Sequence, residues 1–157
     1  GLKIAKGENI ILADGDFEVK INDVHKLINT FENGNKNGAV VGKRWDALYK
    51  KNFKVIDLGN YIINSLFNLI YGSRMNDILC CFKLVPKKLL KKINLKSKRF
   101  SIETEIMSKL VLNQVYISEV KINYNRRTKK EGKKIKYSDI FDIILTMIRT
   151  RFIVKIK

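Results

Sequence analysis

The sequence predicts an α/β fold in which a mostly parallel sheet is flanked by helices. Short apolar runs, typical of buried strands, alternate along the chain with segments whose apolar residues recur every three or four positions, as on one face of a helix. The 157 residues are 45% hydrophobic, which suffices for a core and excludes a disordered tail. No repeat, linker or low-complexity segment divides the chain, so we expect residues 1–157 to form a single domain.

The first half of the chain contains two predicted strands with a helix between them. Residues 9–13 form a continuous apolar run, as in a buried strand, and lead into Asp14-Gly15-Asp16. Residues 21–31 place their apolar side chains on one helical face. The turn-forming residues 33–38 then precede a second apolar run at 38–42, which predicts another buried strand.

The second half continues this alternation of helix and strand. The pattern predicts a helix over residues 59–71, a short strand at 82–85, and a helix that begins at Pro86. Proline suits a first helical turn because its φ is already helical and its missing N–H is not needed there. A further helical pattern covers residues 102–112.

A last strand and a last helix complete the predicted fold. Residues 115–124 alternate between apolar and polar side chains, with a change of phase at Ser118–Glu119 that predicts a β-bulge. A basic, polar loop follows over residues 126–136. The final helix is predicted from 139 to about 154, with basic residues in its last turns, where they favour the helix dipole.

The charge of the chain favours an anionic partner. Lys and Arg number 32 against 15 Asp and Glu, a net charge of +17, which suits nucleic acid, phosphorylated small molecules or an acidic membrane surface. No apolar run approaches 18 residues, so no transmembrane helix is predicted. The two adjacent cysteines, Cys80 and Cys81, lack metal-ligand spacing and indicate buried structural thiols in a reducing compartment.

The acidic triplet is the first candidate site. Asp14 and Asp16 flank a glycine at the exit of a predicted buried strand, so both carboxylates can approach one hard cation such as Mg²⁺ or Mn²⁺. Glu18 can join them as a third ligand. The alternative is a plain turn in which Asp caps the following helix.

Two further candidates come from the second half of the chain. The loop containing Arg127, Lys133 and Lys134 is dense in cations and suits phosphate recognition, although a solvated surface loop explains it equally well. Glu103 and Glu105 stand two residues apart on a predicted helix and so point in different directions. One can face a site while the other caps or pairs, and the alternative is an ordinary acidic first turn.

Taken in order, these pieces resemble the family 2 glycosyltransferases of GT-A type, specifically the branch similar to dolichol-phosphate (polyprenyl-phosphate) mannosyltransferases. The matching blocks are residues 1–16 with the acidic triplet, 41–44, 76–83, and 100–109 with 119–124 and 127–135. The chain departs from the family pattern where Lys43 replaces Ser, Cys80 replaces Thr, Phe82 replaces Tyr and Lys121 replaces Pro.

The resemblance also reveals an absence. The family's domain begins with a strand bearing a Pro-x-Tyr-Asn-Glu-like motif and a second strand ending in Asp-Asp-Gly-Ser, which hold the nucleotide. Neither motif occurs in this sequence. The resemblance therefore implies that residues 1–157 are the C-terminal part of a GT-A catalytic domain, and the activity of the isolated chain is left open.

The resemblance implies an activity, ligands and a location. It implies inverting transfer of a sugar from a GDP- or UDP-sugar to a polyprenyl phosphate, with Mg²⁺ or Mn²⁺ held by Asp14 and Asp16. Glu18, two residues further on, is the candidate third ligand from its position alone. Asp16, Glu103 and Glu105 are the implied catalytic residues, with either Glu as base if the acceptor is a hydroxyl. The basic residues implied to hold the acceptor phosphate are Arg44, Arg127, Lys133 and Lys134.

The last helix adds an expected location and leaves two competing classes. Its apolar face and basic end predict a cytoplasmic protein, peripheral at the cytosolic face of a membrane; the alternative is packing against the domain. The competing classes are a basic nucleic-acid-binding module and a catalytically dead interaction fragment. No nucleic acid is expected as partner on the glycosyltransferase interpretation, and no oligomeric state is predicted.

Overall fold

The computed structural model describes residues 1–44, 55–127 and 137–153, without the side chains of 55, 56 and 137. Its elements are β1 Asn9–Leu12, a short 3-10 helix Ile21–Asp23, α1 Val24–Glu32, β2 Ala39–Lys43, α2 Val55–Tyr71, β3 Lys83–Pro86, α3 Lys87–Lys92, α4 Ser101–Leu112, β4 Ile117–Lys121 and α5 Tyr137–Phe152. The predicted helices and strands are thus confirmed in type and order, with ends that differ by a few residues.

The four strands form one mixed sheet in the order β1-β3-β2-β4. β3 runs antiparallel to both β1 and β2, and only β2 and β4 pair in parallel. The prediction of a mostly parallel sheet is therefore wrong for the described strands. Strand–helix alternation implies parallel pairing only when each strand is reached by a crossover, whereas β3 returns between β1 and β2 in the opposite direction.

Both faces of the sheet are covered by helices. Leu27 and Phe31 of α1 pack with Val40, Phe82 and Ile122 on one face. The opposite face, where Val41 and Val85 point, is covered by α2, α3, α4 and α5, whose core residues include Phe67, Leu90, Met107 and Met147. Side chains alternate between the faces along each strand, so both faces receive apolar residues.

The predicted bulge in the last strand is not found. β4 pairs with β2 in continuous register from Ala39↔Ile117 to Lys43↔Lys121. The apparent change of phase arises because the strand is covered on both sides: Ile117 packs towards α4, whereas Val120 and Ile122 pack towards α1. Beyond β4, Tyr124 makes an isolated bridge with Val19.

Asp23 connects the segment after β4 to the start of α1, and the stability that this contact adds to the fold should depend on pH. Burial alone would raise the pKa of Asp23, but Lys26, 2.8 Å away, and Asn123 hold that pKa below its usual value. A lowered pKa means that this stabilisation is full above the unfolded pKa of about 3.9 and is lost as the pH falls further. Asp23→Asn should therefore cost about 1–2 kcal/mol of unfolding free energy at pH 7.

Urea titrations of the wild type and Asp23→Asn at pH 7 and pH 3 measure this difference. We expect the gap between the two proteins to shrink at pH 3. Asp142→Asn, which changes an exposed carboxylate on α5, serves as the control and should have little effect at either pH. A gap for Asp23→Asn that is equal at both pH values would contradict the account.

Candidate functional site

Three strands end at the same edge of the sheet. β1 and β2 are both antiparallel to β3, and β4 is parallel to β2, so β1, β2 and β4 share one direction. The acidic triplet follows β1, Arg44 follows β2, and residues 122–127 follow β4. Ligand sites of open α/β sheets gather at this carboxyl edge. β1 itself lies at one side of the described sheet.

Asp16 is the member of the triplet that is already engaged with a cation. Its Oδ2 accepts a hydrogen bond from Nη2 of Arg127 at 2.7 Å, and its Oδ1 accepts the backbone N–H of Glu18 at 3.0 Å. Asp14 is exposed. The structure therefore brings together two of the predicted site residues, Asp16 and Arg127, which are 111 positions apart.

Phe17, between Asp16 and Glu18, has a backbone conformation that the sequence does not indicate. It has φ 58°, in the left-handed region, and its side chain is 90% exposed. A non-glycine residue in this region costs roughly 1–2 kcal/mol. This local turn lets the Glu18 amide reach back to Asp16.

Glu18 has a structural task in this site. One carboxylate oxygen accepts the Tyr124 hydroxyl at 2.6 Å and the other accepts the backbone N–H of Arg127 at 3.0 Å. In the described part of the chain, no three His, Cys, Asp or Glu side chains form a group able to hold a metal ion. Glu18 thus joins the turn to the segment after β4, and its role as a third metal ligand stays a prediction.

Arg44 is held by Asp77, which lies in the segment before β3. Nε and Nη2 of Arg44 each donate to the Asp77 carboxylate at 2.8 Å, and the Arg44 backbone N–H donates at 2.9 Å. The guanidinium also lies 5.2 Å from the centre of the Tyr124 ring, within cation–π range. Nε and Nη2 of Arg44 are thus engaged with Asp77, and its contact with a phosphate stays a prediction.

Tyr124 connects the Arg44–Asp77 pair with Glu18 and the turn after β1. Burial and its hydrogen bond to Glu18 raise the pKa of its hydroxyl, so it remains a neutral donor. Polar contacts then run without interruption along the carboxyl edge. We call this set the edge network; its members in order are Asp77, Arg44, Tyr124, Glu18, Arg127 and Asp16.

Glu103 and Lys83 form a second charged contact next to the triplet. Lys83, on β3, has no exposed side-chain surface, and its amine donates to the Cys80 carbonyl and to the Glu103 carboxylate. Burial raises the pKa of Glu103, with Lys83 opposing the shift and Asp14 adding to it. Glu103 therefore lies within electrostatic reach of the triplet. The sequence signal for Lys83, a charge inside an apolar strand, was overlooked.

Glu105 points elsewhere on α4. Its carboxylate accepts the backbone N–H groups of Lys96 and Ser97 and pairs with Lys109. Burial opposes ionisation, yet these contacts lower the pKa of Glu105 overall. It fastens the loop before α4, and its catalytic role stays a prediction that the arrangement does not favour.

The basic loop is described only at its start. Arg126 pairs through its guanidinium with the buried Asp57 on α2, which anchors the segment before Arg127. Lys133 and Lys134 lie outside the described residues.

The thiols behave as expected of structural cysteines. Cys80 is buried and Cys81 half-buried, and neither is in a disulfide. Burial raises the pKa of Cys80 to about 11 and that of Cys81 to about 12. Both are protonated at neutral pH and are poor nucleophiles.

The last helix packs on the domain with one side and is exposed on the other. Ile143 and Met147 of α5 are buried, and the Tyr71 hydroxyl donates to the Met147 carbonyl at 2.8 Å. The exposed apolar side chains of α5 are Phe141, Leu145, Ile148 and Phe152. None of the helices in the described residues has the length and apolarity needed to cross a membrane.

Comparison with known proteins identifies the fold. No protein-family model and no curated protein matches the chain. Among solved structures, glucosyl-3-phosphoglycerate synthase from Mycobacterium tuberculosis is similar in two complexes. With phosphoglyceric acid the TM-score is 0.71 at 12% identity, and with uridine diphosphate it is 0.63 at 16% identity. The match covers 98% of this chain but 53% of that enzyme, so the chain spans about half its length. The likeness confirms the predicted fold class: the chain has a partial GT-A-type α/β fold.

Proposed function

We propose that the chain forms the metal- and acceptor-binding part of a glycosyltransferase. The reaction is transfer of a sugar from a GDP- or UDP-sugar to a polyprenyl phosphate, with inversion. The observation that supports this most is the meeting of Asp16 with Arg127 at the carboxyl edge of a GT-A-type sheet. An acidic group for a metal and a basic group for a phosphate are what such a transfer requires side by side.

Asp14 and Asp16 are the proposed ligands of a hard divalent cation. Asp14 and Asp16 supply carboxylate oxygens, which Mg²⁺ and Mn²⁺ prefer, and such ions usually complete their shell with water and substrate phosphates. Asp16 already binds a cationic group, Arg127, and both side chains are partly open to solvent. When bound, the cation offsets the negative charge that develops on the departing nucleotide.

The acceptor side follows from the basic residues. Arg127 can form a forked contact with a phosphate, and Lys133 and Lys134 raise the positive potential of the same loop. An acceptor phosphate oxygen forms a bond to the anomeric carbon of the sugar as the bond from that carbon to the diphosphate oxygen breaks. Because the attacking phosphate is already anionic, the step requires no strong general base.

A hydroxyl acceptor is the second candidate, and two observations favour it. Glu103 lies within electrostatic reach of Asp14, and its raised pKa suits a base. The similar enzyme was solved with phosphoglyceric acid, a small phosphorylated hydroxy acid. In this version Glu103 removes the hydroxyl proton and Arg127 holds the phosphate of the acceptor.

A membrane surface is the proposed setting for a polyprenyl acceptor. The exposed apolar side of α5 ends in Arg149 and Arg151, and the net charge of +17 favours an anionic surface. We therefore propose a cytoplasmic protein that is peripheral at the cytosolic face. A nucleic-acid-binding module or an inactive interaction fragment remain the competing classes, and each predicts that sugar transfer is absent.

Transfer of labelled sugar tests the proposal. The chain is incubated with Mn²⁺, labelled UDP-glucose or GDP-mannose, and either polyprenyl phosphate in anionic vesicles or 3-phosphoglycerate. Labelled lipid supports the first acceptor, and labelled phosphoglycerate supports the second. Because the chain spans about half of the similar enzyme, Mn²⁺-dependent binding of UDP or GDP is measured in parallel. If the chain shows no sugar transfer and no nucleotide binding but binds nucleic acid in a salt-sensitive way, the proposal is rejected in favour of a nucleic-acid-binding module.

Arg127→Ala should weaken use of the acceptor more than use of the donor. The reason is that the contact with the acceptor phosphate is lost, at roughly 2–5 kcal/mol if that contact is desolvated. The apparent KM for polyprenyl phosphate should therefore rise at least tenfold, with a smaller change for the nucleotide sugar. Arg74→Ala, which removes one exposed charge from the segment after α2, is the matched control. A large loss of donor affinity with unchanged lipid dependence would assign Arg127 to the donor instead.

A further inference from the structure

We infer that Arg127 occupies Asp16 until a divalent metal binds there. The metal then takes the place of Arg127 on Asp16, and the released Arg127 side chain binds the acceptor phosphate. This rests on the proposed metal role of Asp14 and Asp16. It adds a coupling between metal binding at Asp14 and Asp16 and acceptor binding at Arg127, which the proposed function does not require.

The first support is the direct occupation of the metal-side carboxylate. Nη2 of Arg127 lies 2.7 Å from Oδ2 of Asp16, and the other oxygen of Asp16 accepts the Glu18 amide. A dication on Asp16 would meet the guanidinium at close range, where like charges repel strongly. Metal and Arg127 therefore compete for Asp16.

The second support is that the guanidinium of Arg127 can move away from Asp16 while the backbone of Arg127 stays in place. The Arg127 N–H donates to Glu18 at 3.0 Å, and the Asn125 N–H donates to the Glu18 carbonyl at 2.7 Å. These contacts do not involve the Arg127 side chain. Its side chain is 34% exposed and that of Asp16 is 23% exposed, so the pair is reachable from solvent and weak enough to exchange.

The third support is an unused donor on Arg127. Its Nε is buried and makes no hydrogen bond with any group in the described residues; a carboxylate oxygen of Glu18 is 3.8 Å away. An unpaired buried N–H is unfavourable, which is a reason for the side chain to accept a better partner. A phosphate offers Nε and Nη2 a forked pair of acceptors at once.

The exchange has a functional consequence. Metal binding detaches Arg127 from Asp16 and leaves it available for the acceptor phosphate, so the acceptor binds better after the metal than before it. By linkage, a phosphate on Arg127 raises the affinity of Asp14 and Asp16 for the metal by the same factor. The exchange thus favours the state in which the metal and the acceptor phosphate are bound together.

Mn²⁺ binding to the chain alone tests the exchange, because it requires no catalysis. Free Mn²⁺ is measured by electron paramagnetic resonance during titration of wild type, Arg127→Ala and Arg149→Ala. We expect Arg127→Ala to bind Mn²⁺ roughly 5-fold more tightly, since the lost pair is a charged hydrogen bond that is partly exposed. Arg149→Ala removes the same net charge elsewhere and should stay within twofold of wild type.

Arg127→Gln provides a second variant that keeps a side-chain donor but no charge, and it should also bind Mn²⁺ more tightly. Circular dichroism confirms that each variant is folded. If Mn²⁺ binds wild type and the Arg127 variants equally, the exchange is rejected and the metal site survives. If both Arg127 and Arg149 variants bind equally more tightly, the effect is general charge and the exchange is likewise rejected. If no protein binds Mn²⁺, the metal assignment fails together with the exchange.

Discussion

Asp16→Asn is expected to lower metal-dependent sugar transfer by at least about 100-fold, because it removes a charged ligand from the proposed cation site. Mn²⁺ affinity should fall in parallel. The fold should persist, since the Asp16–Arg127 pair is partly exposed and such pairs contribute at most about 1 kcal/mol to stability. The measurement is initial-rate transfer with excess metal, compared with the unfolding midpoint of the same protein.

Asp142→Asn is the matched control, because it makes the same chemical change at an exposed site on α5. It should leave transfer and Mn²⁺ binding unchanged. Full activity of Asp16→Asn, or of wild type in EDTA, would remove Asp16 from the mechanism. A loss of activity accompanied by unfolding would instead assign Asp16 a structural role.

The second large effect is expected at Glu103, and it concerns stability. Glu103→Ala leaves the amine of Lys83, which has no exposed surface, with the Cys80 carbonyl but without its counter-charge. Removing one partner of a buried ion pair typically costs about 3–5 kcal/mol. We expect a loss of that size in the free energy of unfolding, measured by urea titration at pH 7.

The double variant Lys83→Met with Glu103→Ala separates the lost charge from the lost packing. It removes both charges and should recover a large part of the loss, because an apolar side chain of similar length then fills the buried position. Glu32→Ala changes an exposed carboxylate on α1 and should change stability by less than about 0.5 kcal/mol. A Glu103→Ala protein as stable as wild type would show that Lys83 loses its charge easily or finds water.

Local patterns were sufficient to predict most of the fold. Helix periodicity and short apolar runs depend on residues close in sequence, and the strand before Asp14 and the helix after Phe100 are found where these patterns place them. The direction of β3 could not be predicted in this way. It depends on how the chain returns after α2, which is a property of the whole sheet rather than of residues 83–86.

The site was predictable in its acids and less so in its pairings. Asp14 and Asp16 stand directly after an apolar run, so their place at a strand end follows from sequence. The contact of Arg44 with Asp77 joins residues 33 positions apart, and that of Arg127 with Asp16 joins residues 111 positions apart. No local pattern encodes such pairs. The sequence neighbours of an arginine do not show whether it binds a phosphate ligand or pairs with a carboxylate of the protein.

The buried Lys83 illustrates a different kind of omission. The pattern of residues 82–85 predicts a short strand that is apolar except for Lys83. A lysine is almost never fully buried unless it is paired. That rule alone would have indicated an acid nearby, and the structure identifies it as Glu103.

The most direct test of the central claim is the position of Mn²⁺ in crystals of the chain grown with MnCl₂ and UDP. Anomalous scattering locates the ion without reference to any assumed mechanism. The account predicts a peak about 2.2 Å from carboxylate oxygens of both Asp14 and Asp16, with the Arg127 guanidinium moved off Asp16. A peak bound elsewhere, or no peak while Arg127 stays 2.7 Å from Asp16, would contradict it.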